Sequence, residues 1–431
     1  MSPVIGFAGL SHLGIVSSLC AAEKGFDVVA FDREAALVGQ LTRGKMPVSE
    51  PGLDALWLKN RNRIRFTAEI SSLARCDVIY ISADIATDAV GQSDLAEAEG
   101  LLCDVLAVSG SGAAIIVLSQ VFPGFMRAHL QSSRPMMYQV ETLIFGRAVM
   151  RALEPERIIV GCLEPDKPLP LAYAKFLNSF DCPLLVMRFE SAELAKIAIN
   201  MFLVASVTTA NALAELCEAI GADWKEISGA LRLDARIGPR AYLAAGLGLS
   251  GGNLERDLAT FCEQADRHNT DSDVVRAWLR QSTRRKDWPW RVACNALGES
   301  IETARIAVLG LAYKEDTHST KNAPSLQLLR HLTTQDTLVY DPIVQLTDGG
   351  ARTVQVKDAL SAVRDADVVF IMTPWAEFRG LVPSELAARM RGRWIIDPYG
   401  MVDLVRAKAA GLAIISLGTG QVHPAPGVVT T

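Results

Sequence analysis

The sequence predicts an α/β protein in three parts: a doubly wound sheet domain, a helical middle, and a second doubly wound sheet domain. Three observations carry that expectation. The chain opens with a strand, a glycine turn, a helix and another strand within about 30 residues, which favours a parallel sheet. From 191 to 220 apolar residues recur at helical spacing with no proline or glycine between them. At Ala304 the alternation of short apolar runs and helical segments starts again. A chain of 431 residues is too long for one ordinary core and accommodates all three parts.

Each element follows in order. Val4-Ile-Gly-Phe-Ala8 is the first strand; the helix after it runs through Ile15, Leu19 and Ala22 and ends at Gly25; Asp27-Val-Val-Ala-Phe-Asp32 is the second strand. Apolar runs at 78–81, 114–118 and 158–161 continue the sheet as buried strands. Leu194, Ile197, Ala198, Met201 and Phe202 then open a helix of about 30 residues, a length that marks a bridge between lobes or a dimer seam. Helical pattern continues past a glycine-rich loop at 246–252. The second sheet takes runs at 305–310, 337–341, 367–372 and 394–397. Domains are therefore drawn at 1–188, 189–298 and 299–431, with a loose tail around Pro424 and Pro426.

Composition narrows the class. Half the residues are hydrophobic and 21% are charged, the balance of a soluble globular enzyme. A net charge of −5 with no long basic run argues against nucleic acid as a partner. Eight scattered cysteines show no CxxC pair and no metal-ligand spacing; they read as small core hydrophobes in a reducing compartment, with no metal site. No unbroken apolar run reaches the roughly 18 residues of a membrane helix, and the N-terminus does not read as a signal peptide. The expectation is a cytoplasmic protein without a membrane partner.

The opening turn reads Gly9-Leu-Ser11-His12-Leu13-Gly14, with Asp32 about 20 residues on. The first glycine makes the tight turn. The second position must be small so that backbone reaches a pyrophosphate, and the third glycine lets helix and strand pack. Ser11 stands at the second position, small but with a hydroxyl. This reads as the dinucleotide turn of a Rossmann domain, the plainer reading being an ordinary strand–helix turn of an α/β fold; Asp32 favours NAD by taking ribose hydroxyls and repelling a 2′-phosphate. Arg33 beside it reads as an adenine-stacking group, a donor to a phosphate or a surface arginine.

Further motifs run the length of the chain. Ser191-Ala-Glu-Leu-Ala-Lys196-Ile-Ala-Ile-Asn200, Asp234-Ala-Arg236-Ile-Gly238 and the 246–257 loop stand in the middle. Glu50-Pro-Gly-Leu53 and Asp94-Leu95 precede them; Gly310-Leu-Ala-Tyr-Lys314-Glu-Asp-Thr317, Tyr340-Asp-Pro342 and Trp375-Ala-Glu-Phe378 follow. Together they resemble the UDP-glucose/GDP-mannose dehydrogenase family over nearly the whole chain. The resemblance implies an NAD-binding Rossmann domain, a helical dimerisation domain forming a homodimer through its long helix, and a C-terminal Rossmann-like domain that holds the nucleotide of a nucleotide-sugar substrate, a UDP-sugar first.

The family reaction takes a sugar CH₂OH to a carboxylate with two NAD, through an aldehyde, a cysteine thiohemiacetal and a thioester. By resemblance, Lys196 and Asn200 are the oxyanion-stabilising pair, one helical turn apart. Glu141 is the glutamate of base or water chemistry, and Asp257 closes the catalytic loop. Ser119, Gln120 and Lys321 lie on the cofactor side; Arg236, Tyr242, Gly248 and Lys314 lie on the substrate side. The plainer readings are a solvated helix face for Lys196 and Asn200, a surface acid for Glu141 and a helix-start acid for Asp257.

The departures are as informative. The family loop Gly-Phe-Gly-Gly-Ser-Cys-Phe-Pro-Lys-Asp is here Gly248-Leu-Ser-Gly-Gly-Asn253-Leu-Glu-Arg256-Asp257, so the nucleophilic cysteine is replaced by Asn253. An amide cannot form a thioester, and Cys262 reads as a core residue. The family's Ser-Thr-Val-Pro is here Ser119-Gln120-Val121-Phe122-Pro123, and Lys321 stands for an arginine, losing a bidentate contact. Four readings follow: an NAD-dependent C6 alcohol oxidation without a thioester, ending at the aldehyde or oxidising its hydrate; a redox-neutral epimerase that retains NAD; a four-electron dehydrogenase of unusual mechanism; and a non-catalytic paralogue.

Overall fold

The computed structural model describes residues 2–88, 93–131, 133–347 and 349–420, so the tail expected around Pro424 and Pro426 lies outside the described residues. The chain divides into two compact units, Met1–Ile199 and Asn200–Thr431.

In the first unit the strands are β1 (Val4–Ala8), β2 (Asp27–Phe31), β3 (Ile64–Thr67), β4 (Val78–Ile81), a small ribbon of β5 (Ala86–Thr87) and β6 (Ser93–Asp94), then β7 (Ala114–Val117), β8 (Met136–Gln139), β9 (Ile158–Cys162) and β10 (Leu184–Arg188). The main sheet runs β10-β9-β8-β7-β4-β1-β2-β3, parallel throughout except where β8 meets β9. Strands β1, β4 and β7 are buried at nearly every position, because cores lie on both faces of a parallel sheet. Ile5, Phe7 and Tyr80 pack toward the opening helix, His12–Glu23, while Ala8, Ile79 and Ile81 pack on the other side. Strands β3, β8 and β10 are additions to the sequence reading. β3 and β10 are edge strands that bury little, so Ile-Arg-Phe-Thr and the exposed Leu184 and Leu185 give no continuous apolar signal. Because β1 sits between β2 and β4, the order reverses at its C-terminal end, where open α/β sheets bind ligands.

The long helix, Phe189–Ile220, has 32 residues and starts two residues before the sequence suggests. Its first turns join the first unit's core through Phe189 and Ala192. Further along, Val204 packs with Leu249, Leu258 and Val275, and Ala210, Ala214 and Cys217 with Trp224. By length and composition alone this helix is apolar enough to cross a membrane. That corrects the sequence expectation: Asn200, Thr208 and Asn211 interrupt the apolar run without making the whole window polar. Phe202, Leu213, Leu216 and Ile220 form an exposed apolar stripe along it.

Helices Asn253–Arg267, Asp273–Lys286 and Trp288–Leu297 follow, and then a second parallel sheet. It comprises β11 (Ile306–Leu309), β12 (Thr337–Tyr340), β13 (Thr353–Gln355), β14 (Val368–Ile371), β15 (Trp394–Ile396) and β16 (Ala413–Ile415), ordered β13-β12-β11-β14-β15-β16. The three-residue edges β13 and β16 are too short to leave a sequence signal. All eight cysteines are free, but Cys103 is exposed and Cys182 and Cys294 are half-buried, so three of them are not the core residues expected.

Candidate active site

The glycine turn is built as its residues require. Gly9 has φ +94°, and its N–H donates to the Phe31 carbonyl at 3.0 Å, which folds the turn over β2. A Cβ on Gly14 would stand 1.9 Å from the Gly9 carbonyl oxygen, so only hydrogen fits there. Asp32, at the end of β2, accepts from Leu10 N–H at 2.7 Å and Glu34 N–H at 2.9 Å. It is half-buried, with lone pairs left for a ribose. Ser11 turns inward: its hydroxyl donates to the Ser82 carbonyl at 3.2 Å and accepts from Asp84 N–H at 2.8 Å. Arg33 lies exposed against Asp104 at 2.5 Å. Ser119 is fully buried and donates to the Ala83 carbonyl at 2.6 Å, so its hydroxyl is committed to the fold rather than to a cofactor. Gln120, beside it, is half-buried.

The His12 side chain is engaged within the fold. Its Nε2 is 2.9 Å from Glu50 Oε1, and its ring lies 4.3 Å from that of Phe145. Glu50 is buried and accepts from Gly146 N–H at 2.9 Å and Ala148 N–H at 3.1 Å. Leu13 is buried, and its N–H, in the helix's first turn, donates to Asp84 Oδ2 at 3.4 Å. The turn, the acid and the helix end suit a dinucleotide, with Asp84 as an unexpected neighbour.

The second sheet repeats the device and closes it. Gly310 has φ +97°, its N–H donates to the Tyr340 carbonyl, and a Cβ there would meet Thr373 at 2.5 Å. Asp341 stands where Asp32 stands in the first lobe, but it is buried and accepts from the N–H groups of Leu311, Ala312, Ile343 and Val344 and from Trp375 Nε1. The following helix begins only at Pro324, and Ser325 Oγ at its start donates to the Leu311 carbonyl at 2.7 Å. With Asp341 saturated, this lobe cannot grip a ribose as Asp32 can.

Catalytic candidates separate by unit. In the first, Lys196 Nζ lies 3.2 Å from Glu141 Oε2, both side chains under one-fifth exposed, and the other Glu141 oxygen accepts from Leu143 N–H. Glu141 is therefore no plain surface acid; it lines a cleft with Leu13, Tyr80, Gln139 and Arg151. In the second, Asn200 Nδ2 donates to Asp257 Oδ2 at 2.5 Å, and Arg256 Nε to Asp257 Oδ1 at 3.3 Å. Asp257 is buried, which excludes a merely solvated helix-start acid.

The glycine-rich loop is bolted into the second unit. Gly246 N–H donates to Asn211 Oδ1 at 2.7 Å, and Leu249 N–H to Ser282 Oγ at 2.8 Å. Gly248, with φ +87°, passes so close to the Ser282 carbonyl that a Cβ would be 2.5 Å away. Gly251 N–H donates to the Lys321 carbonyl at 2.9 Å, and the Lys321 side chain lies over Gly252. Tyr313, whose ring Lys314 approaches at 5.7 Å, packs on Gly251. Glu255 adds a clasp to Lys286 at 2.8 Å and to Asn322 at 2.5 Å. Asn253 is thereby presented, exposed, as the first residue of its helix. Arg236 and Tyr242 are not drawn into this cluster: Arg236 is 89% exposed beside Asp234, and Tyr242 is 52% exposed.

Seven of the eight cysteines are shielded by burial. Burial pushes the thiols of Cys20 and Cys76 up to about 12 and raises those of Cys162, Cys182, Cys217, Cys262 and Cys294. Raised thiols stay protonated and unreactive. Residues that sequence reasoning missed are Asp84, Glu255 and the role of Glu50. An acid just beyond a strand at the reversal point was the available signal for Asp84; the other two depend on contacts distant in sequence.

Comparison with known proteins places these features. Three family models match in chain order: UDP-glucose/GDP-mannose dehydrogenase family, NAD binding domain, over residues 4–175; central domain, over 190–283; and UDP binding domain, over 307–404. The UDP-glucose 6-dehydrogenase TuaD of Bacillus subtilis is 28% identical over 437 residues, covering 97% of this chain and 94% of its own. A UDP-glucose 6-dehydrogenase of Rhizobium meliloti is 27% identical over 436 residues, covering 96% and 99%. Two solved structures share the fold: a UDP-D-ManNAc dehydrogenase from Pyrococcus horikoshii (TM-score 0.83, 23% identity, 96% and 99% covered) and a UDP-glucose dehydrogenase from Pyrobaculum islandicum (0.82, 24%, 96% and 97%).

Proposed function

The chain belongs to the UDP-glucose/GDP-mannose dehydrogenase family and takes NAD as its cofactor, and we propose that it oxidises the C6 primary alcohol of a nucleotide-linked sugar, a UDP-sugar first, and releases the aldehyde without a thioester. The observation that supports this reading is Asn253 at the exposed start of its helix, where burial raises the thiol of Cys262, the one cysteine further along that helix. An amide nitrogen has no available lone pair for attack on an aldehyde, so the covalent half of the four-electron sequence has no nucleophile.

When bound, NAD supplies the acceptor for the hydride leaving C6. The chain's own residues do the rest. The hydroxyl proton passes to a base, and Glu141, held by Lys196 in the first unit, is the group assigned that part. Lys196 stabilises negative charge developing on the C6 oxygen. In the second unit Asp257 fixes the Asn200 amide, whose orientation would otherwise be free. One alcohol and one NAD give one aldehyde, one NADH and one proton. The exposed stripe of Phe202, Leu213, Leu216 and Ile220 supports a homodimer through the long helix.

The test is a panel of nucleotide sugars with NAD, with NADH counted per sugar consumed and the product identified by mass. One NADH and a product lighter by two hydrogens is the expected result, abolished in Lys196→Ala. A carboxylate formed with two NADH overturns it.

A further inference from the structure

The N-terminus of the opening helix, His12–Glu23, is the natural seat for a pyrophosphate: its first N–H groups lack helical partners and its dipole favours an anion. The Ser11 cap residue gives it no side-chain acceptor, and its first turn holds no acid. An acid from elsewhere fills that place. Asp84, beyond the end of β4, brings Oδ2 to 3.4 Å from Leu13 N–H.

The Asp84 backbone cannot swing clear. Its N–H donates to Ser11 Oγ, Ser11 donates to the Ser82 carbonyl, and Ser82 Oγ donates to the Gly9 carbonyl at 2.9 Å. Glycine turn and Asp84 are one hydrogen-bonded block, so a pyrophosphate on the turn meets this carboxylate unless the side chain rotates away. The surroundings are acidic as well. Burial, then the charges of Asp32, Asp84 and Asp94, hold the Glu97 carboxyl above its ordinary range, with Arg33 opposing them.

We propose that Asp84 sets the affinity for the dinucleotide, standing as an internal anion in the seat that the pyrophosphate takes. It is a specificity-determining residue that weakens phosphate-bearing ligands selectively and leaves the adenosine end untouched. NAD binding needs no sugar, so the proposal stands or falls apart from the assignment of the product.

The experiment uses the full chain and calorimetric titration with ADP-ribose, ADP and adenosine. Asp84→Asn keeps the size and removes the charge. Its expected effect is about fivefold tighter ADP-ribose and ADP, with adenosine unchanged, as one screened charge pair at the surface predicts. Unchanged or weaker ADP-ribose in a folded Asp84→Asn protein overturns the proposal. So does equal tightening of adenosine, which would show a general repair of the turn. Should that variant not fold, the wild-type protein decides: screening relieves the repulsion, so the ratio of ADP to adenosine affinity rises with ionic strength. A ratio that falls with salt, the behaviour of an attractive phosphate seat, refutes it.

Discussion

Glu50 offers the sharpest test of how the cofactor turn is held. Its carboxylate is buried and joins three groups far apart in sequence: His12 of the opening helix, and the N–H groups of Gly146 and Ala148. Glu50→Ala strands these donors unequally. Ala148 is fully buried, so its N–H loses its acceptor outright, at about 1–3 kcal/mol. Gly146 is exposed and water replaces most of what is lost. His12, largely buried, forfeits a bond whose partner is charged, and the vacated volume adds a smaller term. The sum is about 3 kcal/mol, or a thermal midpoint lower by about 6–12 °C for a unit of this size. Glu50→Gln retains one acceptor but turns an NH₂ toward another donor, so it should fall between. Circular dichroism melts of the full chain, following the first transition, give the comparison. A Glu50→Ala midpoint within about 2 °C of wild type would refute the reasoning.

Three further outcomes are expected. Gly14→Ala drives a methyl into the Gly9 carbonyl and costs about 3 kcal/mol; calorimetry should show NADH binding lost while the second unit's melting is unchanged. Asn253→Cys places a thiol at a helix N-terminus, where the dipole lowers its pKa; in a Cys103→Ser background it should alkylate with iodoacetamide faster than any native cysteine, and equal rates would count against the geometry of the loop. The Arg391 guanidinium holds the Asp367 carboxyl below its usual range. A depressed acid contributes stability above its unfolded pKa and loses it as pH falls through the folded value. Arg391→Ala should therefore melt lower at neutral pH but lose less of its stability below about pH 4, as a series of melts across pH will show.

Much of the architecture was legible because it rests on local or periodic features. The Gly9 turn with Asp32, the unbroken 32-residue helix and the buried central strands each impose a pattern on adjacent residues. Edge strands such as β3 and β13 bury too little to leave one. Among candidate site residues, Lys196 and Asn200 were readable as a helical pair. That Glu141 pairs with Lys196, or Asn200 with Asp257, joins positions more than 50 apart, and no spacing rule reaches so far. Ser119 and His12, read as facing the cofactor, proved committed to Ala83 and Glu50 for the same reason.

The sequence by itself determined which groups are on offer: an acid and glycines for NAD, a lysine and an asparagine one helical turn apart, and an amide at Asn253. These are properties of residue type, unchanged by folding. Tertiary structure alone decided which polar groups remain free to act. Asp32 and Asp341 end equivalent strands beside equivalent glycines, yet one is half-open and the other is saturated by five donors. Asp84 was one exposed acid among many until the fold set it at the end of the opening helix. A side chain's function depends on its unspent hydrogen bonds and on the field around it, and both are fixed only when distant segments meet.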